Sequence, residues 1–262
     1  MRRSPLGGTI LLMAVSVLPP RLAAADLTPL SVIPTESRAT QPLPHGAPMR
    51  VQLQAADLPR LAAQLGVPAP DAGVAGLDYT VDAASGVRAV ASGRTWLEPT
   101  FVIDYDDPRV LALRDEYRSG FPGAPSAATL AQFVSGRMQA SSDQPFALAS
   151  RTATLLRGDC TEHAVLTVAL ARSVGLPAQL AFGVAILPTE QGYAAVGHAW
   201  ALVREGDRWI ISDAALEHEP VEVRYLALGV LEDEGTGYAL SAMDMFTRWP
   251  QRVVVLGNAD PR

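Results

Sequence analysis

Residues 155–179 read LLRGDCTEHAVLTVALARSVGLPAQ and contain Cys160, the only cysteine of the 262-residue chain. The stretch is written as a helix with a marked start and stop. Asp159 is a residue type that caps helix N-termini by accepting from their free amides. Glu162 adds an acid to the first turn, where the helix dipole is positive. Ala164, Val165, Val168, Ala169 and Leu170 give an apolar surface. Gly175 ends the helix and Pro177 prevents a restart. Cys160 therefore falls in the first turn, where backbone N–H groups lack intrahelical partners. That setting favours thiolate over thiol, and the thiolate is the nucleophile. A helix so rich in small residues can pack closely on a sheet.

The flanking sequence supplies the sheet. AQLAFGVAIL (178–187), GHAWALVR (197–204) and DRWIISDA (207–214) are short, β-branched or aromatic, and parted by turns such as REGDR (204–208). RVVVLG (252–257) reads as a last strand. Upstream the pattern is helical: PRVLALRDEYRSG (108–120), SAATLAQFVSGRMQ (126–139) and FALASRTATLL (146–156). Ser126 caps the second, which aligns Leu130, Phe133, Val134 and Met138 on one face. Before Pro108, MRVQLQ (49–54) and WLEPTFVIDYD (96–106) look like strands, and DLPRLAAQLG (57–66) like a helix from Asp57 to Gly66. Helices, then a nucleophile helix, then an antiparallel run make an α+β layout. The expected divisions are a leader over 1–25, a Pro-rich linker or surface strap over 26–48, a small β-rich N-terminal lobe over 49–107, and a main domain over 108–262.

The leader is expected to be a cleavable signal peptide. Arg2 and Arg3 precede the apolar run TILLMAVSVL (9–18), and Ala23 and Ala25 stand at −3 and −1 of a cut before Asp26. The run is well short of the ~20 apolar residues of a membrane span. No later segment could span either, so no integral membrane span is expected. A periplasmic or secreted location follows. Every one of the 21 basic residues is Arg, and removal of the leader would take the net charge from −6 to −9. An acidic chain without a basic run argues against nucleic-acid partners.

Export makes one cysteine informative, since it cannot form an internal disulfide. It is a partner in an intermolecular bond, a buried bystander or a working nucleophile. A nucleophilic thiol needs a base. The histidines are His45, in the Pro-rich segment, His163, on the Cys160 helix, His198, inside a strand, and His218, in an expected loop. Asp213 ends the strand after that of His198. A hairpin closed at REGDR would bring His198 and Asp213 together, with the carboxylate holding the imidazole tautomer. His163 shares a helix face with Cys160, which holds its ring beside the root of the sulfur rather than opposite it. It is read as a core or supporting residue.

GDCTEHAVLTVALARSVGLPAQ, GHAW and RWIISDA, in this order and spacing, resemble the transglutaminase-like superfamily, a branch of the papain-like cysteine fold. The resemblance covers roughly 126–215. It implies a papain-like core with the nucleophile helix packed on an antiparallel sheet, Cys160 as nucleophile, His198 as base and acid, and Asp213 as orienting residue. Asp159 and His163 would support the site, and Trp200 and Trp209 would pack near it. The implied oxyanion hole joins the Cys160 N–H to an upstream donor, for which Trp96, Gln132, Gln139 and Gln144 are candidates. The implied activity is acyl transfer or hydrolysis at an amide of a peptide or protein, with cell-envelope substrates among the candidates and no cofactor. The alternatives are a papain-like peptidase and a non-catalytic envelope binding module. The sequence around Cys160 and the Asp at 213 count against the first, and the complete Cys, His and Asp set against the second. Asp159, Glu162 and His163 on one helix lack a second ligand group, so no metal site is expected. Tyr105, Phe121 and Phe133 read as core aromatics.

Overall fold

The computed structural model describes residues 32–39, 43–82, 95–143, 145–219 and 221–259. The expected signal peptide and Gln144 lie outside them. The elements are β1 (Val32–Ile33), β2 (Thr35–Ser37), β3 (Met49–Gln54), α1 (Leu58–Leu65), β4 (Leu77–Val81), α2 (Pro108–Gly120), α3 (Ala127–Ser135), β5 (Gln139–Ala140), α4 (Ala149–Leu155), β6 (Arg157–Gly158), α5 (Cys160–Ser173), β7 (Ala178–Thr189), β8 (Gly192–Glu205), β9 (Arg208–Ser212), β10 (Arg224–Val230), α6 (Tyr238–Phe246) and β11 (Arg252–Asn258). The layout is α+β, and its larger sheets are built mainly from antiparallel pairs.

Helix boundaries follow from caps. Asp57 accepts from Arg60 N–H, and Gly66, at φ 64°, closes α1 in the left-handed region. Ser126 and Thr129 form a capping box at the start of α3, and Asp159 and Glu162 form another at α5. After α5, Gly175 takes φ 90° and Leu176 N–H returns to Ala171 O at 2.9 Å. That reversal delivers the chain into β7.

Helix α5 is buried from Thr161 to Arg172, enclosed by α2, α3 and α4 on one side and β7 and β8 on the other. Its apolar residues accordingly run all round rather than along one stripe. The central sheet has the order β1-β8-β7-β10, with β9 beside the other half of β8. A second sheet has the order β2-β11-β3-β4. Strands β7 and β8 serve two cores. Leu180, Phe182, Ala199, Ala201 and Val203 pack under the helices. Val184, Ile186 and Ala195 pack against the second sheet and α1, through Val51, Leu53, Leu61, Val253 and Val255.

One expectation needs correction. WLEPTFVIDYD forms no strand. Pro99 breaks the ladder, Thr100 N–H donates to Ile103 O at 3.2 Å, and Val102 N–H crosses to Glu234 O at 3.1 Å. Its β-like apolar residues plug the core as a loop, with Val102 and Ile103 fully buried. The second strand of the N-terminal sheet is instead β4, residues LDYTV. Within 26–48, the described residues include paired strands, so this segment straps onto both sheets: Val32 and Ile33 join β8, and Thr35–Ser37 join β11. The N-terminal sheet also takes in β11, from the end of the region assigned to the main domain.

Candidate active site

The loop before α5 is fixed by short parallel pairing: β6 runs beside β5, and Ser141 N–H donates to Gly158 O at 2.9 Å. Asp159 then caps the helix, its side chain accepting Thr161 N–H at 2.7 Å. Its carbonyl accepts His163 N–H at 3.1 Å and lies 2.7 Å from His163 Nδ1. Glu162 folds back over this turn. Oε2 accepts Asp159 N–H at 3.1 Å, and Oε1 accepts Ala147 N–H at 3.0 Å, tying the segment before α4 to the helix start. A Cβ at Gly158 would stand 2.3 Å from Glu162 Cβ, so glycine there is what admits the buried carboxyl. Burial, reinforced by Asp159, pushes Glu162 up to about 8 against the pull of its two backbone donors. Cys160 opens this helix half-buried.

The second half comes from the β8–β9 hairpin. Glu205 pairs with Arg208 across the turn at Gly206, and Ala201 pairs with Ser212. Asp213 follows the last paired residue, and His198 lies three residues before Ala201. His198 Nε2 is 2.7 Å from Asp213 Oδ2. The Cys160 sulfur lies close enough to His198 to act on its imidazole. Since Nε2 is engaged by Asp213, Nδ1 is the ring nitrogen left for the sulfur. Burial opposes charge on His198. The Asp213 carboxylate and the Cys160 sulfur, by charge and hydrogen bond, override it and push the imidazole up to about 10. Burial likewise works against ionised Asp213, but His198 charge and the hydrogen bonds it receives hold the carboxyl below its usual range. Those bonds come from His198, Ala215 N–H at 3.0 Å and Leu216 N–H at 3.3 Å on Oδ1, and Tyr225 O–H at 2.8 Å on Oδ2.

The structure thus brings Cys160, His198 and Asp213 together. Trp200 is fully buried, its ring 6.0 Å from that of His198, and Trp209 packs against the same hydrophobic cluster. His163 is buried, and burial pulls its imidazole below the ordinary range. His45 and His218 are exposed. Phe133 is in the core, with Tyr105 and Phe121 packed against it. Trp96 is not near the sulfur. Its ring lies under Arg172, 5.8 Å from the guanidinium carbon, roughly 18 Å along α5 from Cys160 at the usual rise per residue. Gln132 is exposed on α3, whereas Gln139 sits on β5 beside the residues leading into Cys160. Tyr225 is the site residue that the sequence reading missed. Its strand, RYLALGV, is apolar and aromatic enough to read as a strand, but nothing in it points to His198 or Asp213. Among the described residues, no three of His, Cys, Asp and Glu gather as a metal site, and no helix is long and apolar enough to cross a membrane.

Residues 118–214 match the family model described as the transglutaminase-like superfamily, over a range that includes Cys160, His198 and Asp213. No curated protein matches the chain. Among solved structures, the chain is similar to a crystal structure described as a candidate cysteine protease from Cytophaga hutchinsonii, at 19% identity and a TM-score of 0.39, over 57% of this chain. The match spans about half of that structure's length, 54%.

Proposed function

We propose that this chain is a thiol-dependent enzyme acting on amides, with Cys160 as nucleophile, His198 as acid and base, and Asp213 as orienting residue. The observation that carries the reading is the chain of contacts from the helix-start sulfur through His198 to a carboxylate 2.7 Å from Nε2. The family-model match supports it. In the reaction, the Cys160 sulfur attacks the amide carbonyl and forms a C–S bond as the carbonyl π electrons move to oxygen. The Cys160 N–H, at the first helical position, is in line to receive that oxyanion. Collapse breaks the C–N bond, and imidazolium Nδ1 gives its proton to the departing amine. Water or a second amine then attacks the thioester, neutral His198 takes the attacking group's proton, and the thiolate leaves. Hydrolysis and transfer share this acyl-enzyme and differ in the second nucleophile. We further propose a location outside the cytoplasm, from the signal peptide expected over 1–25, with peptide or protein amides as substrates and those of the cell envelope among the candidates.

The test is the second-order rate of Cys160 alkylation by iodoacetamide between pH 5 and 10, in wild type and His198→Ala. Wild type is expected to react at least tenfold faster than the variant near pH 7. Equal rates throughout would overturn the reading.

A further inference from the structure

Tyr225 reaches the site from two strands away, and strand β7 clears its path. Tyr225 pairs with Ala185, and Ala185 with Val196, so the three lie in line across the sheet. His198 is two residues beyond Val196 and shares its face. Across from His198 and Trp200, β7 carries Gly183 and Ala181. A Cβ at Gly183 would lie 2.9 Å from Trp200 Cη2. Small residues along this face of β7 thus let aromatic rings from both neighbouring strands meet above it. The Trp200 and Tyr225 rings are 5.1 Å apart, and the Tyr225 ring is 6.5 Å from that of His198. The phenol ends 2.8 Å from Asp213 Oδ2, the same oxygen that lies 2.7 Å from His198 Nε2. An ionised carboxylate only accepts, so Tyr225 is the donor.

We propose that Tyr225 is a positioning residue of this site, whose phenol shares the Asp213 oxygen with His198 and thereby sets how firmly the imidazolium keeps its proton. The inference rests on the Cys160–His198–Asp213 reading. Asp213 does not depend on Tyr225 for its place, because Oδ1 is pinned by the amides of Ala215 and Leu216. What the phenol changes is the charge that Oδ2 offers to the ring. With the phenol present, part of that charge is spent on a second donor, and the imidazolium is held less tightly. A proton held too tightly is a poor one to give to a leaving amine. The groups that face His198 are Asp213, Cys160 and His163, and those that face Tyr225 are Asp213 and Glu217. Of these, Tyr225 alone adds a second side-chain donor to Asp213 Oδ2.

The experiment follows the His198 ring nitrogens by NMR through a pH titration, in wild type, in Tyr225→Phe, and with 3,5-difluorotyrosine at position 225. Phenylalanine keeps the ring contacts and removes the donor, so the His198 inflection is expected to rise by roughly half a unit or more. Difluorotyrosine is a stronger donor and is expected to lower it. Opposite shifts from two near-isosteric changes are not what a packing role produces. An inflection that stays put in both variants while the fold is retained would overturn the proposal. Should alkylation of wild-type Cys160 prove indifferent to His198, the triad reading itself fails. If alkylation depends on His198 but the position-225 variants leave its titration unmoved, only the role of Tyr225 falls.

Discussion

At the scale of residues, burial disfavours charge on both buried histidines beside Cys160, yet the two end on opposite sides of the ordinary imidazole value. The His163 ring lies 2.7 Å from the backbone carbonyl oxygen of Asp159, and burial lowers it. His198 has a carboxylate, and rises to about 10 despite burial. A raised folded-state value contributes stability that is fully present below the unfolded imidazole's ~6.5 and is lost as pH rises through the folded value. Asp213→Asn removes the charge that sustains it. Denaturant unfolding should therefore show a gap between wild type and Asp213→Asn that is widest near pH 6 and closes toward pH 10. A gap constant with pH would show that the variant loses packing alone. Glu162 has the matching sign. Its carboxyl is raised to about 8, so its contribution is present below the ordinary carboxyl range and is lost as pH climbs through about 8. Glu162→Gln cannot ionise, and its unfolding midpoint should fall less than that of wild type between pH 5 and 9. A parallel fall in both proteins would mean that Glu162 does not titrate in this window.

Elements explain what could be seen in the sequence and what could not. Helix α5 was legible because its instructions are local: an Asp cap, a first-turn acid and a Gly stop sit within the stretch itself. The His198–Asp213 pair was legible for the same reason, since one hairpin turn joins them. Strand β10 passed unread because its partner in the site lies across the sheet, and no local signal announces that contact. Helix α6 also escaped, as Gly237 at its start offers no side-chain cap. The segment 96–106 misled for a physical reason: β-branched and aromatic residues mark burial as much as they mark strands. The close approach of β7 and β10 gives a prediction at this scale. A Cβ at Gly183 would meet Leu226 O at 2.0 Å, a backbone atom that can yield only if β10 moves away. Gly183→Ala should cost about 1–3 kcal/mol or more in denaturant unfolding. Gly120→Ala, where a Cβ meets nothing within 4 Å, should be close to neutral.

For the whole molecule, the main point is that β7 and β8 belong to both cores. The site is built at the helix-covered half of these strands, and the second sheet holds the other half in place through Val184, Ile186 and Ala195. A buried ion pair braces the far end of α5. Arg172 Nη2 lies 2.6 Å from Glu234 Oε1 and also donates to Ala178 O, while Nη1 reaches Glu98 O. Arg172→Leu would leave Glu234 buried without this partner, and should destabilise the fold by about 3–5 kcal/mol, read from chemical denaturation. A loss below 1 kcal/mol would mean the carboxyl is neutralised or rehydrated at little cost.

Strand β2 runs parallel to β11, pairing Thr35, Glu36 and Ser37 with Val253, Val254 and Val255. The early and late parts of the chain therefore lie side by side and point the same way. Tension applied across them, pulling residue 35 backward and residue 255 forward, would load this pairing in shear. Its hydrogen bonds would have to give together rather than open one by one from an end. The molecule should resist stretching along this axis far better than peeling of β4, which is held at the outer edge of the same sheet.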